Sequence, residues 1–161
     1  MKTLYLDCYA GIAGDMFIGA LLNLVPNPEI IKDEIKKIHA LDPDEYKLVI
    51  EHVTRNGISG LNFDVLMRHE HEHEHHHRHL SDIEAMIMSS DLSQRVKRET
   101  LRAFSMLAEA EAHVHGTTPD KIHFHEVGAV DSIIDIAGAF ILMEILEWPR
   151  VICSPVNVGS G

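Results

Sequence analysis

The sequence predicts an α/β or α+β two-layer sandwich, a mixed sheet with helices in the order βααββ, loop, ααβαβ. Three observations carry this expectation. Short β-branched-rich runs alternate with segments of helical period. The Asn56-Gly57 pair separates two long strand-like runs. The 161 residues are 45% apolar and 24% charged, the make-up of an ordinary globular chain long enough to bury a core.

The elements follow in order. Leu4, Tyr5 and Leu6 form a short strand-like run stopped by glycines. Residues 15–25 then carry a helical stripe of Met16, Ile18, Leu21, Leu22 and Val25. Pro26 and Pro28 break the chain. A second helix shows Ile30, Ile31, Ile35 and Ile38 on one face and closes before Pro43. Residues 46–54 and 58–67 read as a hairpin, since Asn-Gly favours the positive φ angles of a tight turn. Residues 69–79 have no apolar residue to anchor them and are expected to form a mobile loop. Beyond them, Ser81 with Glu84 reads as a capping box. Residues 91–93 open a longer helix carrying Val96, Leu101, Phe104 and Leu107, with Gly116 as its stop. Residues 122–127 are strand-like, 131–146 helical with Pro149 ending the helix, and 151–158 a last strand.

Composition narrows the function. Fourteen Lys and Arg stand against 25 acidic residues, giving a net charge of −11. Such a field repels polyanions and argues against a nucleic-acid surface, while favouring cations as partners. Thirteen histidines are enough to reverse that sign once protonated, so the surface charge depends strongly on pH. Two cysteines without a C-x-x-C pair indicate neither a disulfide scaffold nor a thiolate zinc site. With no membrane-spanning run and no signal-peptide pattern, a cytoplasmic protein without membrane association is expected.

Three segments can carry chemistry. The tract holds His69, His71, His73, His75, His76, His77 and His79, interleaved with glutamates. Neutral imidazoles bind late transition metals, with nickel and copper favoured. As a strand the tract aligns alternate histidines, and as a helix it pairs His69 with His73 and His71 with His75, so chelating pairs arise either way.

The second segment is His123-Phe124-His125-Glu126-Val127-Gly128-Ala129-Val130-Asp131-Ser132-Ile133-Ile134-Asp135. His123 and His125 share one strand face, with Glu126 at the strand end. Asp131 and Asp135 are one helical turn apart. Apolar neighbours imply a partly buried cleft, where a bare charge is costly without a partner or a metal. Asp131 as a helix cap and Asp135 on a solvated face are the plainer alternative. His113 and His115 repeat the H-x-H spacing, although a place at a helix end favours interaction with the dipole.

The third segment is the turn Asp7-Cys8-Tyr9-Ala10-Gly11-Ile12-Ala13-Gly14-Asp15-Met16. Backbone N–H groups at such a helix start can hold an anion, although neither G-x-G-x-x-G nor a P-loop is present. Asp15 as an ordinary N-cap is the competing reading.

Taken together, the Leu6-Asp7 and Gly11-Ile12-Ala13-Gly14-Asp15-Met16 opening, the internal histidine tract, Ala112-His113-Val114-His115 and the string from His123 to Ser132 resemble one family in the same order. It is the nickel-insertion family of nickel-pincer nucleotide cofactor synthesis, and the resemblance runs from Leu4 through Gly161. The resemblance implies a CTP-dependent cyclometallase that installs nickel in pyridinium-3,5-bisthiocarboxylic acid mononucleotide, the precursor of the lactate racemase cofactor. Asp15, Glu126 and Asp131 are the expected catalytic residues. Gly11, Gly14 and Asp7 are expected to bind the nucleotide. The tract histidines with His123 and His125 are the expected nickel ligands.

The family's members continue well past this sequence, so residues 1–161 are expected to be a single N-terminal nickel- and cofactor-binding domain. CTP, with Mg or Mn, is expected on an absent C-terminal portion of the same protein, and a homo-oligomer is compatible with this reading. A non-catalytic nickel store or metallochaperone would also explain the tract, yet would not need the His123–Asp135 segment.

Overall fold

The computed structural model describes residues 2–68, 78–124 and 127–159. The chain runs β1 (Thr3–Leu6), α1 (Gly14–Leu22), α2 (Ile30–Ile35), β2 (Tyr46–Arg55), β3 (Ile58–Met67), β4 (Arg78–His79), α3 (Leu80–Ser89), α4 (Gln94–His115), a 3₁₀ turn (Pro119–Lys121), β5 (His123–Phe124), α5 (Val130–Ile145) and β6 (Arg150–Cys153). The α/β two-layer class is what forms. Among the described residues, however, the strands do not merge into one sheet. They make three two-stranded pieces: β1 with β6 in parallel, and β2 with β3 and β4 with β5 antiparallel.

The β2–β3 hairpin is the most legible element. Arg55 pairs with Ile58 across a two-residue turn in which Asn56 and Gly57 have φ of 52° and 81°. Two positive φ angles match the right-handed twist of the flanking strands. Phe63 turns its ring into the core from this hairpin. Helix α1 crosses the hairpin so closely that a Cβ on Gly19 would lie 2.6 Å from the Leu61 carbonyl oxygen.

α5 is the central helix, burying Val130, Ile133, Ile134, Ala137, Gly138, Ile141 and Leu142 against α1, α2 and α4. Ile18 of α1, Ile31 and Ile35 of α2, Ile83 and Ile87 of α3, and Phe104 and Phe124 complete the same core. Removing one such aliphatic side chain from water contributes about 1.5–3 kcal/mol.

Several boundaries differ from those the sequence predicts. The cap of α3 lies two residues before Ser81. It is His79, and Asp82 rather than Glu84 accepts the cap N–H, at 2.8 Å. Ser93 caps α4 as expected, accepting from the Val96 N–H, and Gly116 closes it at φ 64°. The strand expected over 122–127 begins at His123 rather than Ile122, because Pro119 first sets a 3₁₀ turn, and Phe124 is the last described residue before the turn at 127. α5 stops at Ile145, and Glu147 and Trp148 take left-handed φ before Pro149, whose ring disfavours the helical region for the residue ahead of it. The last strand ends at Cys153 rather than Val158, and the chain continues without regular structure to the last described residue.

Candidate functional site

The N-terminal end of α1 rests against one turn of α5, and Gly14 is the point of contact. A Cβ at Gly14 would come within 2.7 Å of Asp135 Cγ and 2.8 Å of its Cβ, so only glycine lets the Asp135 carboxylate lie over the start of α1. Asp135 is half-buried. Its pKa is pushed up to about 6, first by burial and then by the negative charges of Asp15, Asp131 and Asp64. Two helices and a strand therefore bring the charges of three further carboxylates to bear on Asp135.

Neither Asp15 nor Asp131 is consumed by capping. The N-cap of α1 is Ala13 and that of α5 is Ala129, neither with a side-chain hydrogen bond. Asp15 and Asp131 are exposed in the first turns, and Asp131 Oδ1 accepts only the neighbouring Ser132 N–H at 2.8 Å. The capping alternatives thus fall away for both. Asp64, from β3, is the member that sequence reasoning missed, because no spacing along the chain links it to α5.

The turn before α1 is built from its own backbone. Gly11 has φ of +92°, a conformation suited to glycine, and its N–H donates to the Cys8 carbonyl at 3.0 Å. The first N–H groups of α1 are those that a helix leaves without internal partners. The charge of Asp7 acts on Cys8, whose thiol is pushed up first by burial and the neighbouring Cys153.

Three expectations about histidine need correction or restriction. His79 is not part of a mobile loop: it lies in β4, half-buried, paired with His123 of β5. The two rings stand 3.8 Å apart between centroids with planes inclined at 48°, and His79 Nδ1 lies 3.2 Å from the Ile122 carbonyl oxygen. Arg78 beside it donates to the Gly128 carbonyl, which ties β4 to the turn leading into α5. His113 and His115 are exposed in the last turn of α4, where a cation meets the helix dipole favourably. His69, His71, His73, His75, His76, His77, His125 and Glu126 lie outside the described residues. Among the described residues, no three His, Cys, Asp or Glu side chains gather as a metal-holding group.

One further convergence runs against expectation. Cys8 and Cys153, far apart in sequence, are brought to 3.7 Å between sulfurs by the pairing of β1 with β6.

A small α/β protein with a raised carboxylate over a glycine-opened helix start, and a close pair of histidines on β4 and β5, is suited to cation chemistry. A family model for nickel insertion proteins matches residues 4–161, and the chain belongs to that family. It is 48% identical, over its whole length, to a pyridinium-3,5-bisthiocarboxylic acid mononucleotide nickel insertion protein of Akkermansia muciniphila, of which it covers 40%. It is 46% identical to the protein of that name from Clostridium kluyveri, covering 42% of it. The Staphylococcus epidermidis protein of that name is 45% identical over 99% of the chain and is covered over 39%. No solved structure matches the chain. Among the described residues, no helix is long and apolar enough to cross a membrane.

Proposed function

We propose that this chain is the nickel- and nucleotide-binding part of a protein that inserts nickel into pyridinium-3,5-bisthiocarboxylic acid mononucleotide, yielding the nickel-pincer cofactor of lactate racemase in a CTP-dependent reaction. The observation that carries the reading is Asp135, a carboxylate raised to about 6 and seated on Gly14 among Asp15, Asp131 and Asp64.

Cyclometallation forms a carbon–nickel bond as the C4–H bond of the pyridinium breaks. The electron pair of that bond goes to nickel, and a base must take the proton. A group with a pKa near 6 is mostly ionised at neutral pH, yet basic enough to hold that proton, which suits general-base work. The acidic group also favours what is positively charged in the reaction, the pyridinium ring and the incoming Ni²⁺, which is a substrate here.

In this reading Asp135 accepts the proton, Asp15, Asp131 and Glu126 assist it, and Asp7, Gly11 and Gly14 form the loop beside the nucleotide's single phosphate, with the N–H groups opening α1 toward the anion. His69, His71, His73, His75, His76, His77 and His125 deliver nickel toward His79 and His123. CTP with Mg or Mn belongs to the C-terminal portion that the longer relatives have room for. A nickel store without catalysis would leave the raised carboxylate without a task.

The test is Asp135→Asn and, separately, Glu126→Gln, each in a protein extended by the relatives' C-terminal portion and supplied with nickel, CTP and Mg or Mn. Both should abolish nickel-pincer formation, read by mass spectrometry of the nucleotide, with circular dichroism unchanged. Product formation by Asp135→Asn at the unmodified rate would remove Asp135 from the chemistry.

A further inference from the structure

We propose that Cys8 and Cys153 form a two-sulfur site for a thiophilic divalent metal ion, which in this protein is nickel. The site is a product of the fold. β1 and β6 run parallel with Leu6 opposite Cys153, and the pairing continues as the Ser154 N–H donates to the Leu6 carbonyl at 2.9 Å. Past the end of β1, the Cys8 N–H donates to Ser154 Oγ at 2.8 Å, while the Cys8 carbonyl accepts from the N–H groups of Gly11 and Asn157. Asn157 in turn donates its side-chain amide to the Tyr9 carbonyl at 3.1 Å. Backbone on both sides of each cysteine is therefore fixed, and the two sulfurs are held 3.7 Å apart.

That spacing decides what the pair can do. A disulfide would put the sulfurs about 2.05 Å apart. Two thiolates sharing one tetrahedral metal, with metal–sulfur bonds of about 2.3 Å, stand about 3.8 Å apart. The pair is set for a shared ion with little movement.

Access and electrostatics agree. Cys8 is buried and Cys153 exposed, so an ion can enter from the Cys153 side and finish against Cys8. Asp7, next to Cys8 in the chain, adds a negative charge that favours a bound cation. On binding, each thiol loses its proton to solvent, and the ion takes two sulfur ligands in place of two waters, so charge and atoms balance. Soft thiolate ligands select late transition metals over magnesium or calcium. The choice of nickel as the ion rests on the function proposed above; the two-sulfur site itself does not.

The test is an anaerobic titration of the reduced 161-residue chain with NiCl₂, beside Cys8→Ser, Cys153→Ser and the double variant. Wild type should develop a near-ultraviolet sulfur-to-nickel charge-transfer absorption saturating at one ion per chain, which histidine and carboxylate ligands do not give. It should release about two more protons per chain than the double variant. Each single variant should lose most of the band. Should Cys8→Ser fail to fold, exposed Cys153→Ser still decides the matter. A folded wild type with no such band, or a band that persists in Cys153→Ser, overturns the site. A band without nickel-pincer formation by the extended protein would sink the proposed function and leave the site standing. Product formation without the band would do the reverse.

Discussion

Asp135 shows how burial among like charges makes one residue cost stability. Its folded pKa of about 6 lies above the ordinary value of 3.8, so the folded state prefers the neutral acid. The stability that this group contributes is fully present below about pH 4 and is lost as the pH rises through about 6. A shift of that size corresponds to about 3 kcal/mol, which half-burial and solvent screening reduce to about 1–2 kcal/mol at neutral pH. Asparagine carries no such charge. Asp135→Asn should therefore melt a few degrees above wild type at pH 7.5, with the gap closing toward pH 4, while losing activity. A melting temperature below wild type at pH 7.5 would show that the carboxylate is not under electrostatic strain. Asp131 and Asp135 were readable from the sequence, because a four-residue interval on a helix fixes one face. Asp64 was not, since only the packing of β3 on α1 brings its charge to bear.

Legibility of an element follows from its length. The ten-residue strands β2 and β3 announce themselves by β-branched residues and a turn pair that fixes register, and all ten pairs run from Tyr46–Met67 to Arg55–Ile58. β4 and β5 show two described residues each, too few for any period, and are held by tertiary contacts that no local pattern encodes. The same shortness explains the misplaced capping box. Ser81 and Glu84 have the right spacing, but the pairing of His79 with His123 starts the helix earlier and gives Asp82 the cap N–H.

The boundary at Arg78 yields a prediction. Removing 69–77, a stretch with nothing apolar to bury, should leave the apo melting temperature within about a degree of wild type while removing most nickel capacity. Arg78→Ala should cost about 1–2 kcal/mol, because the Gly128 carbonyl before α5 loses its charged donor. Calorimetric melting of the two variants checks both halves. Equal destabilisation by the two changes would mean that the tract is packed.

At the scale of the whole molecule, the parallel pair β1–β6 joins the two ends of the sequence, so the turn that opens α1 and the segment after β6 stabilise each other. This closure was invisible locally: a parallel partner can lie anywhere along the chain, and nothing in Cys8 or Cys153 alone pointed to the other. The chain nevertheless spans only about 40% of the length of the relatives named above. Its overall charge of −11 opposes a triphosphate, and the sequence holds neither a P-loop nor a lysine near Gly11–Gly14 to meet one. Ni²⁺ meets the opposite balance, since a cation is drawn to the carboxylates. The 161-residue chain should therefore bind Ni²⁺ but show no CTP affinity in the micromolar range with Mg²⁺ or Mn²⁺ present. A version extended by the relatives' C-terminal portion should bind both. Isothermal titration of the two proteins decides it, and micromolar CTP binding by the short chain would move nucleotide activation into the fold described above.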